Sequence, residues 1–288
     1  MITIDTQLVS KLEEKALQIR KELVVYCNKI GNSHLGGPLS MTDVTVALFY
    51  HFMRYDPNNY SWPERDRFIL GKGHCACLLY NIFTDMGMFS KEELYGEYNK
   101  LDGRFGQHPN RKYLPMFDAS TGSLGHGLSL AFGYAMAGRM DKANWRVYCV
   151  VGDGELDEGS NWEAVMSAAH YQMGNLVLIV DRNRISGCRH TEDTIALDSL
   201  EKKFDAFNWH VISIDGNNMA QIVEALSALP ESDPVARRKP VVIVSNTVKG
   251  KGIDFMEDQP KWHLGGLDDE KMAEALSLLD AYSKRGAK

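Results

Sequence analysis

The chain has 288 residues, 44% of them hydrophobic. That suffices for one large or two modest domains with a real core and excludes a disordered chain. Thirty-two basic against 38 acidic side chains give a net charge of −6, which disfavours a sequence-independent nucleic-acid binder, since such proteins carry a basic surplus. No apolar run approaches the ~18 residues of a membrane span. The first residues carry acids where a signal peptide is basic and then apolar, so a cytoplasmic protein is expected.

Leu8, Leu12, Ala16, Ile19 and Leu23 recur near helical spacing and predict an amphipathic helix ending at Gly31. Ser40 to Asp43 reads as an N-cap followed by an acid, with Val44, Leu48 and Phe52 on one helix face. Asp56 to Asn59 is a turn, and Phe68 to Leu70 a short strand closed by Gly71, Lys72 and Gly73. Ser90 to Glu93 opens another helix. The second half alternates. Strands are expected at Arg146 to Val151, Leu176 to Asp181, Trp209 to Ile214 and Val241 to Ser245. Helices are expected over about 157–173, 218–229 and 268–284. Pro230 to Pro240 reads as a polar loop rather than a domain linker. This pattern predicts an α/β fold, a parallel twisted sheet covered by helices on both faces, in a single domain over 1–288.

Five cysteines (Cys27, Cys75, Cys77, Cys149, Cys188) form an odd, scattered set. They make no disulfide framework, and a lone C-x-C pair is weak support for zinc. They read as small, half-buried residues of a reducing compartment.

Ligands of open parallel sheets sit at the carboxyl ends of the strands. Three expected strands end there in polar tips, two of them with glycine, at Val151 to Gly154, Val180 to Asn183 and Ile214 to Asn218. Asp153 and Asn183 are 30 residues apart (183 − 153), one strand-helix-strand unit, so both emerge at one sheet edge. A carboxylate and an amide oxygen suit a hard cation, Mg²⁺ or Ca²⁺, with phosphate oxygens and water completing the shell. Glycines there let backbone approach a phosphate. A lone Gly-Asp-Gly reads better as a tight turn and helix cap. The following strand ending in Asn favours the metal.

Gly-Asp-Gly followed after about thirty residues by Asn is the pattern of thiamine diphosphate enzymes. The chain further resembles the N-terminal, diphosphate-binding part of transketolase over nearly its whole length. The resemblance rests on Gly31 to Pro38, Gly71 to Cys75, Gly106 to Pro109, Thr121 to Gly127, Gly152 to Gly159, Asp181 to Gly187 and Lys249 to Gly252, in that order. It implies a thiamine diphosphate-binding fold and transfer of a two-carbon glycolaldehyde unit from a ketose to an aldose. Asp153, Asn183 and the Ile185 carbonyl would bind Mg²⁺. Gly154, Glu155, Asn183, His74 and His263 would hold the cofactor, with Gly122, Ser123 and Leu124 lining its rings. His34, His74, His108 and His263 would form the catalytic histidine cluster. Imidazole suits that task because it exchanges protons near pH 7. Glu158 and Glu163 match acids of the subunit interface that link two cofactor sites.

The resemblance also carries departures. His126 stands where the family usually has Gln, and the segment around His263 reads Lys261-Trp262-His263-Leu264. Arg111 and Lys112 beside His108 read as a solvated basic pair or as a contact for an anionic sugar. The family's catalytic glutamate lies on a pyrimidine-binding domain that follows in full-length enzymes. The expected partner is therefore a separate C-terminal, pyrimidine-domain subunit, in an α2β2 assembly acting on a sugar phosphate or sulfonate. An α-type subunit of a 2-oxo acid dehydrogenase shares the Gly-Asp-Gly…Asn core, but the Thr121 to Gly127 and His34 segments favour transketolase. A deoxyxylulose-phosphate synthase, a single long chain, and a non-catalytic cofactor-binding paralogue are the remaining readings.

Overall fold

Aliphatic and β-branched runs with both faces buried build the centre of the protein. The computed structural model describes residues 4–31, 33–197, 199–230 and 238–286. Strands β1 (Arg67–Leu70), β2 (Val147–Gly152), β3 (Leu176–Arg182), β6 (His210–Asp215) and β7 (Val241–Asn246) form one sheet in the order β1-β2-β3-β7-β6, every pairing parallel. A two-residue hairpin, β4 (Ile185–Ser186) with β5 (Arg189–His190), follows β3. Residues two apart share a sheet face. Thus Tyr148, Val150, Val177, Ile179, Val241 and Ile243 enter one core. Cys149, Val151, Leu178, Val180, Val242 and Val244 enter the other.

Helices α1 (Thr6–Ile30), α2 (Gly36–Ala47), α3 (Ala76–Asp85), α4 (Lys91–Glu97), α9 (Met219–Ser227) and α10 (Asp269–Gly286) contribute to the first core. Helices α5 (Gly127–Met140), α6 (Gly159–His170) and α8 (Leu200–Ala206) cover the second, with a short α7 (Thr191–Thr194) between β5 and α8. The expected α/β architecture is therefore the observed one. No helix of the described residues is long and apolar enough to cross a membrane.

Local chemistry explains most boundaries. Asp5 Oδ1 accepts from Gln7 N (2.9 Å) and Leu8 N (3.2 Å) at the start of α1. Gly31 ends that helix at φ 80°, in the left-handed region only glycine enters freely. Ser90 and Glu93 form a reciprocal capping box on α4.

Three expectations are corrected. Ser40 is not an N-cap. The α2 helix begins at Gly36, where Pro38 costs nothing because first-turn N–H groups lack helical partners. Ser40 lies inside the helix, and its Oγ bonds to Gly37 O at 2.8 Å and to Asp181 Oδ2 at 2.6 Å. The helix expected over 157–173 is Gly159–His170, preceded by a 3-10 turn at Gly154–Asp157. Cys27, Cys75, Cys77 and Cys149 are fully rather than half buried, and Cys188 is exposed. Of the expected loop between Pro230 and Pro240, residues 231–237 lie outside the described residues.

Candidate functional site

Parallel register aligns the strand ends that carry the polar tips. Gly152 pairs with Asp181, and Asp181 with Ser245. The turn after β2 and the segment after β3 therefore meet. Asp153 Oδ1 accepts from Gly154 N (2.8 Å), and its Oδ2 accepts from Arg184 N (2.6 Å). Arg184 takes φ 64° to make that contact. Asn183 Oδ1 accepts from Ile185 N at 3.2 Å. The Ile185 carbonyl accepts from Lys249 Nζ at 3.2 Å.

Oxygen donors from Asp153, on the turn after β2, and from Asn183 and Ile185, on the segment after β3, are thus brought together where Arg184 N meets Asp153 Oδ2. Burial, together with the nearby Asp181 carboxylate, pushes the Asp153 carboxyl above its ordinary value. A divalent cation would relieve that cost, so the donor set fits Mg²⁺. Among the described residues no three His, Cys, Asp or Glu side chains gather into a metal cluster. The set is an all-oxygen one that leaves positions for phosphate and water.

Beside this turn lie three imidazoles. An antiparallel bridge, Ser33 N to Gly265 O (2.9 Å) and Gly265 N to Ser33 O (3.0 Å), brings the two segments holding His34 and His263 together. His74 enters from the 3-10 turn after β1. Ring centroids are 5.1 Å (His34–His74), 5.2 Å (His34–His263) and 5.5 Å (His74–His263) apart. Burial, then Lys72 and the neighbouring rings, push His74 down to about 2. Burial, then Lys249, push His263 down to about 3. His34 is lowered by burial and by His108. All three rings are neutral at pH 7, so they act as directional donors and acceptors, not as charges.

Two buried lysines supply the positive charge. Lys249 Nζ lies 2.9 Å from His263 Nδ1, and burial followed by Lys72 lowers its pKa to about 8. Lys72 pairs with Asp181, both buried. Glycines let the chain close in. A Cβ on Gly36 would stand 2.9 Å from the Trp262 carbonyl and 3.1 Å from Lys249 Cγ. A Cβ on Gly154 would stand 2.5 Å from Ser186 Oγ. Gly122, at φ 157°, lies under the His108 ring, and a Cβ there would meet that ring at 3.1 Å. A hard-cation turn, neutral imidazoles and buried ammonium groups at one sheet edge can hold a phosphorylated cofactor and present proton donors and acceptors beside it.

The sequence matches the family model for the transketolase thiamine diphosphate-binding domain over residues 13–281. The chain belongs to the transketolase family. It is 37% identical over 270 residues to an apulose-4-phosphate transketolase subunit of Phocaeicola vulgatus, covering 93% of each chain. It is 38% identical over 276 residues to a 6-deoxy-6-sulfo-D-fructose transketolase subunit of a Clostridium species, covering 96% of this chain and 98% of that one. Human transketolase is 36% identical, and there the match covers 97% of this chain but 43% of the relative. The Campylobacter jejuni transketolase structure superposes with a TM-score of 0.83 at 28% identity, covering 96% of this chain and 43% of that chain. The chain thus spans nearly all of two subunit relatives and under half of these longer transketolases.

Within this transketolase domain, His34, His74 and His263 form one cluster, and His108 stands over the Gly122 to Leu124 segment. Asp153 on one segment and Asn183 and Ile185 on the next are joined through Arg184 N. The Glu155 side chain is engaged by the chain's own backbone. Its carboxylate is buried and accepts from Gly125 N and Gly152 N, each at 3.1 Å. Burial, opposed by those two N–H groups, raises it to about 7. Glu158 and Glu163 are exposed at the start of α6. His126 caps no helix with its side chain; its Nδ1 sits 3.2 Å from Leu124 O.

Sequence reasoning assigned no role to Lys72, Lys249, Asp181 or Arg182. Lys72 and Lys249 stand next to glycine in Gly71-Lys72-Gly73 and Lys249-Gly250, which is the signal that could have found them. Arg182, in the polar tip after the expected strand, is buried and contacts Asp153 Oδ2 at 3.3 Å.

Proposed function

We propose that this chain is the N-terminal subunit of a split transketolase dependent on thiamine diphosphate and Mg²⁺. The reaction transfers a glycolaldehyde unit from an anionic ketose to an aldose. The observation that carries this reading is the oxygen set of Asp153, Asn183 and Ile185 against Lys249 and the His34–His74–His263 cluster. When bound, thiamine diphosphate supplies the electron sink for breaking the bond next to the ketose carbonyl.

The chain's own residues supply the rest. Asp153, Asn183 and the Ile185 carbonyl hold the metal, and Lys249 with the Gly152–Gly154 turn holds the diphosphate. The neutral imidazoles of His34, His74 and His263 bind substrate hydroxyls and pass protons at their ring nitrogens. They do so without adding charge that would compete with the lysines for an anion. His108, held over Gly122, borders the same space.

The subunit relatives are named for apulose-4-phosphate and for 6-deoxy-6-sulfo-D-fructose. A phosphorylated or sulfonated sugar is accordingly the proposed substrate class. A pyrimidine-domain subunit is the proposed partner, two of each chain forming an α2β2 assembly in the cytoplasm, with Glu158 and Glu163 at the contact. Their exposure supports that placement. The test is reconstitution. The chain is mixed with the product of a neighbouring pyrimidine-domain reading frame, Mg²⁺ and thiamine diphosphate, and offered a panel of ketose phosphates and sulfonates with aldose acceptors. Glycolaldehyde transfer from at least one donor is expected, and its absence from every donor overturns the proposal.

A further inference from the structure

Asp181 lies at the second-to-last position of β3 next to the site, yet it is none of the proposed metal, cofactor or substrate contacts. Its carboxylate is 1% exposed. It accepts from four donors on four segments: Ser40 Oγ in α2 (2.6 Å), Thr247 Oγ1 after β7 (2.5 Å), Asn183 Nδ2 (2.9 Å) and the ammonium of Lys72. Ser40 Oγ lies also 3.4 Å from Asn183 Nδ2. Every one of these partners is an O–H or N–H donor and one of them is an ammonium, which is the environment of an ionised, accept-only carboxylate.

The two ends of an asparagine side chain have nearly the same shape, so hydrogen-bond partners decide which end faces where. An ionised carboxylate only accepts, so it takes the NH₂ end of Asn183 and repels the oxygen end. The oxygen is left on the opposite side, where it meets the Ile185 N–H on the segment joined to Asp153 through Arg184 N. A flipped Asn183 would present two N–H donors to a cation. Lys72 keeps the orienting charge tolerable in a buried place by pairing with it.

We propose that Asp181, with Lys72 as its counter-ion, is a positioning residue that turns the Asn183 carbonyl oxygen toward the divalent cation. This rests on the metal reading of the Asp153 turn. Partners of metal ligands typically tune affinity ~10–100-fold, and a contribution of that size is expected here.

The experiment measures Mn²⁺ affinity by electron paramagnetic resonance on the full chain with thiamine diphosphate. It runs as a double-mutant cycle over Asp181→Asn and Asn183→Ala. In the parent, Asp181→Asn is expected to weaken Mn²⁺ ~10–100-fold, while saturating Mn²⁺ restores parental cofactor affinity. In the Asn183→Ala background nothing remains to orient, so the same substitution is expected to change Mn²⁺ affinity less than about 3-fold. Asp181→Asn/Lys72→Met removes both buried charges together and guards against a folding failure of the single variant; the same loss is expected. Equal losses in both backgrounds, or a cofactor affinity that excess Mn²⁺ does not restore, would assign Asp181 a merely structural role and overturn the proposal. If the parent shows no Mn²⁺-dependent cofactor binding, and Asp153→Ala changes nothing, the metal reading itself fails and takes the proposal with it.

Discussion

Lys249 Nζ approaches His263 Nδ1 to 2.9 Å. The lysine has a pKa of about 8 and the imidazole about 3, so the shared proton belongs to the lysine. His263 then accepts at Nδ1 and carries its own proton on Nε2. One lysine thereby fixes a tautomer, touches the Ile185 carbonyl and places a charge in the site.

Replacing that lysine tests all three roles. In Lys249→Met the proposed charge-assisted contact to the cofactor diphosphate is removed, a contact of a kind worth about 1.5–3 kcal/mol. Thiamine diphosphate is expected to bind roughly 10- to 100-fold more weakly by isothermal titration calorimetry. Lys249→Arg keeps the charge and should recover part of the loss. Unchanged affinity in the Met variant would remove Lys249 from the site.

Asp153→Ala addresses the metal. Asp153 brings the one carboxylate of the proposed donor set, and burial beside Asp181 already strains its charge. Without it, Mg²⁺ should no longer strengthen thiamine diphosphate binding, so titrations with and without Mg²⁺ should coincide. A variant that keeps the Mg²⁺ dependence shows that the cation sits elsewhere.

His34 borders both His74 and His263, and among the described residues no hydrogen bond joins its ring to the Asp153 turn or to Lys249, although Lys249 is near enough to help lower its pKa. His34→Ala should therefore divide binding from turnover. In the reconstituted enzyme kcat is expected to fall at least ~100-fold, the lower end of general acid–base contributions, with cofactor affinity nearly unchanged. A parallel loss of both would make His34 a cofactor ligand instead.

The alternating strands could be read from the sequence because a parallel sheet buried on both faces needs continuous apolar runs, and Val147 to Val151, Leu176 to Val180 and Val241 to Val244 are such runs. The helix Gly127–Met140 escaped notice because Gly127, Gly133 and Gly138 break its apolar stripe. Two of those glycines, Gly127 and Gly138, answer to packing, while Gly133 faces open space. A Cβ at Gly127 would meet Gly71 Cα at 2.4 Å, and one at Gly138 would meet Trp145 Nε1 at 2.5 Å. Asp153 and Asn183 stood out because their spacing equals one crossover. Asp181 and Lys72, 109 residues apart, pair only through the sheet's register, which no local pattern encodes.

Glu155 carries a prediction about order rather than contact. It ties Gly125, ahead of α5, to Gly152 at the end of β2. Glu155→Gln turns an NH₂ group toward one of those two N–H donors, leaving buried donors unpaired at a cost of about 1–3 kcal/mol. The Tm should fall by several degrees in a thermal scan. If Glu155 touched the cofactor instead, the loss would appear mainly in binding and hardly in Tm.

Asp85 gives a stability test in acid, away from the site. At the end of α3 it accepts from Lys15 Nζ (2.9 Å) and Gln18 Nε2 (2.7 Å) of α1 and from the Tyr50 hydroxyl. Burial would raise its pKa, but the bonds from Lys15, Tyr50 and Gln18 prevail and hold it below the ordinary carboxylate value of 3.8. The folded state therefore binds the proton less readily than the unfolded chain. The stabilisation is fully present above the unfolded pKa of about 3.9 and is lost as pH falls through the lower folded value. Asp85→Asn cannot titrate, so its Tm is expected to lie below the parent's at pH 7 and to converge on it as the solution is acidified below about pH 4. Thermal scans of the two proteins across that range check it. A constant gap between the curves would mean that the α1–α3 clamp does not depend on the charge of Asp85.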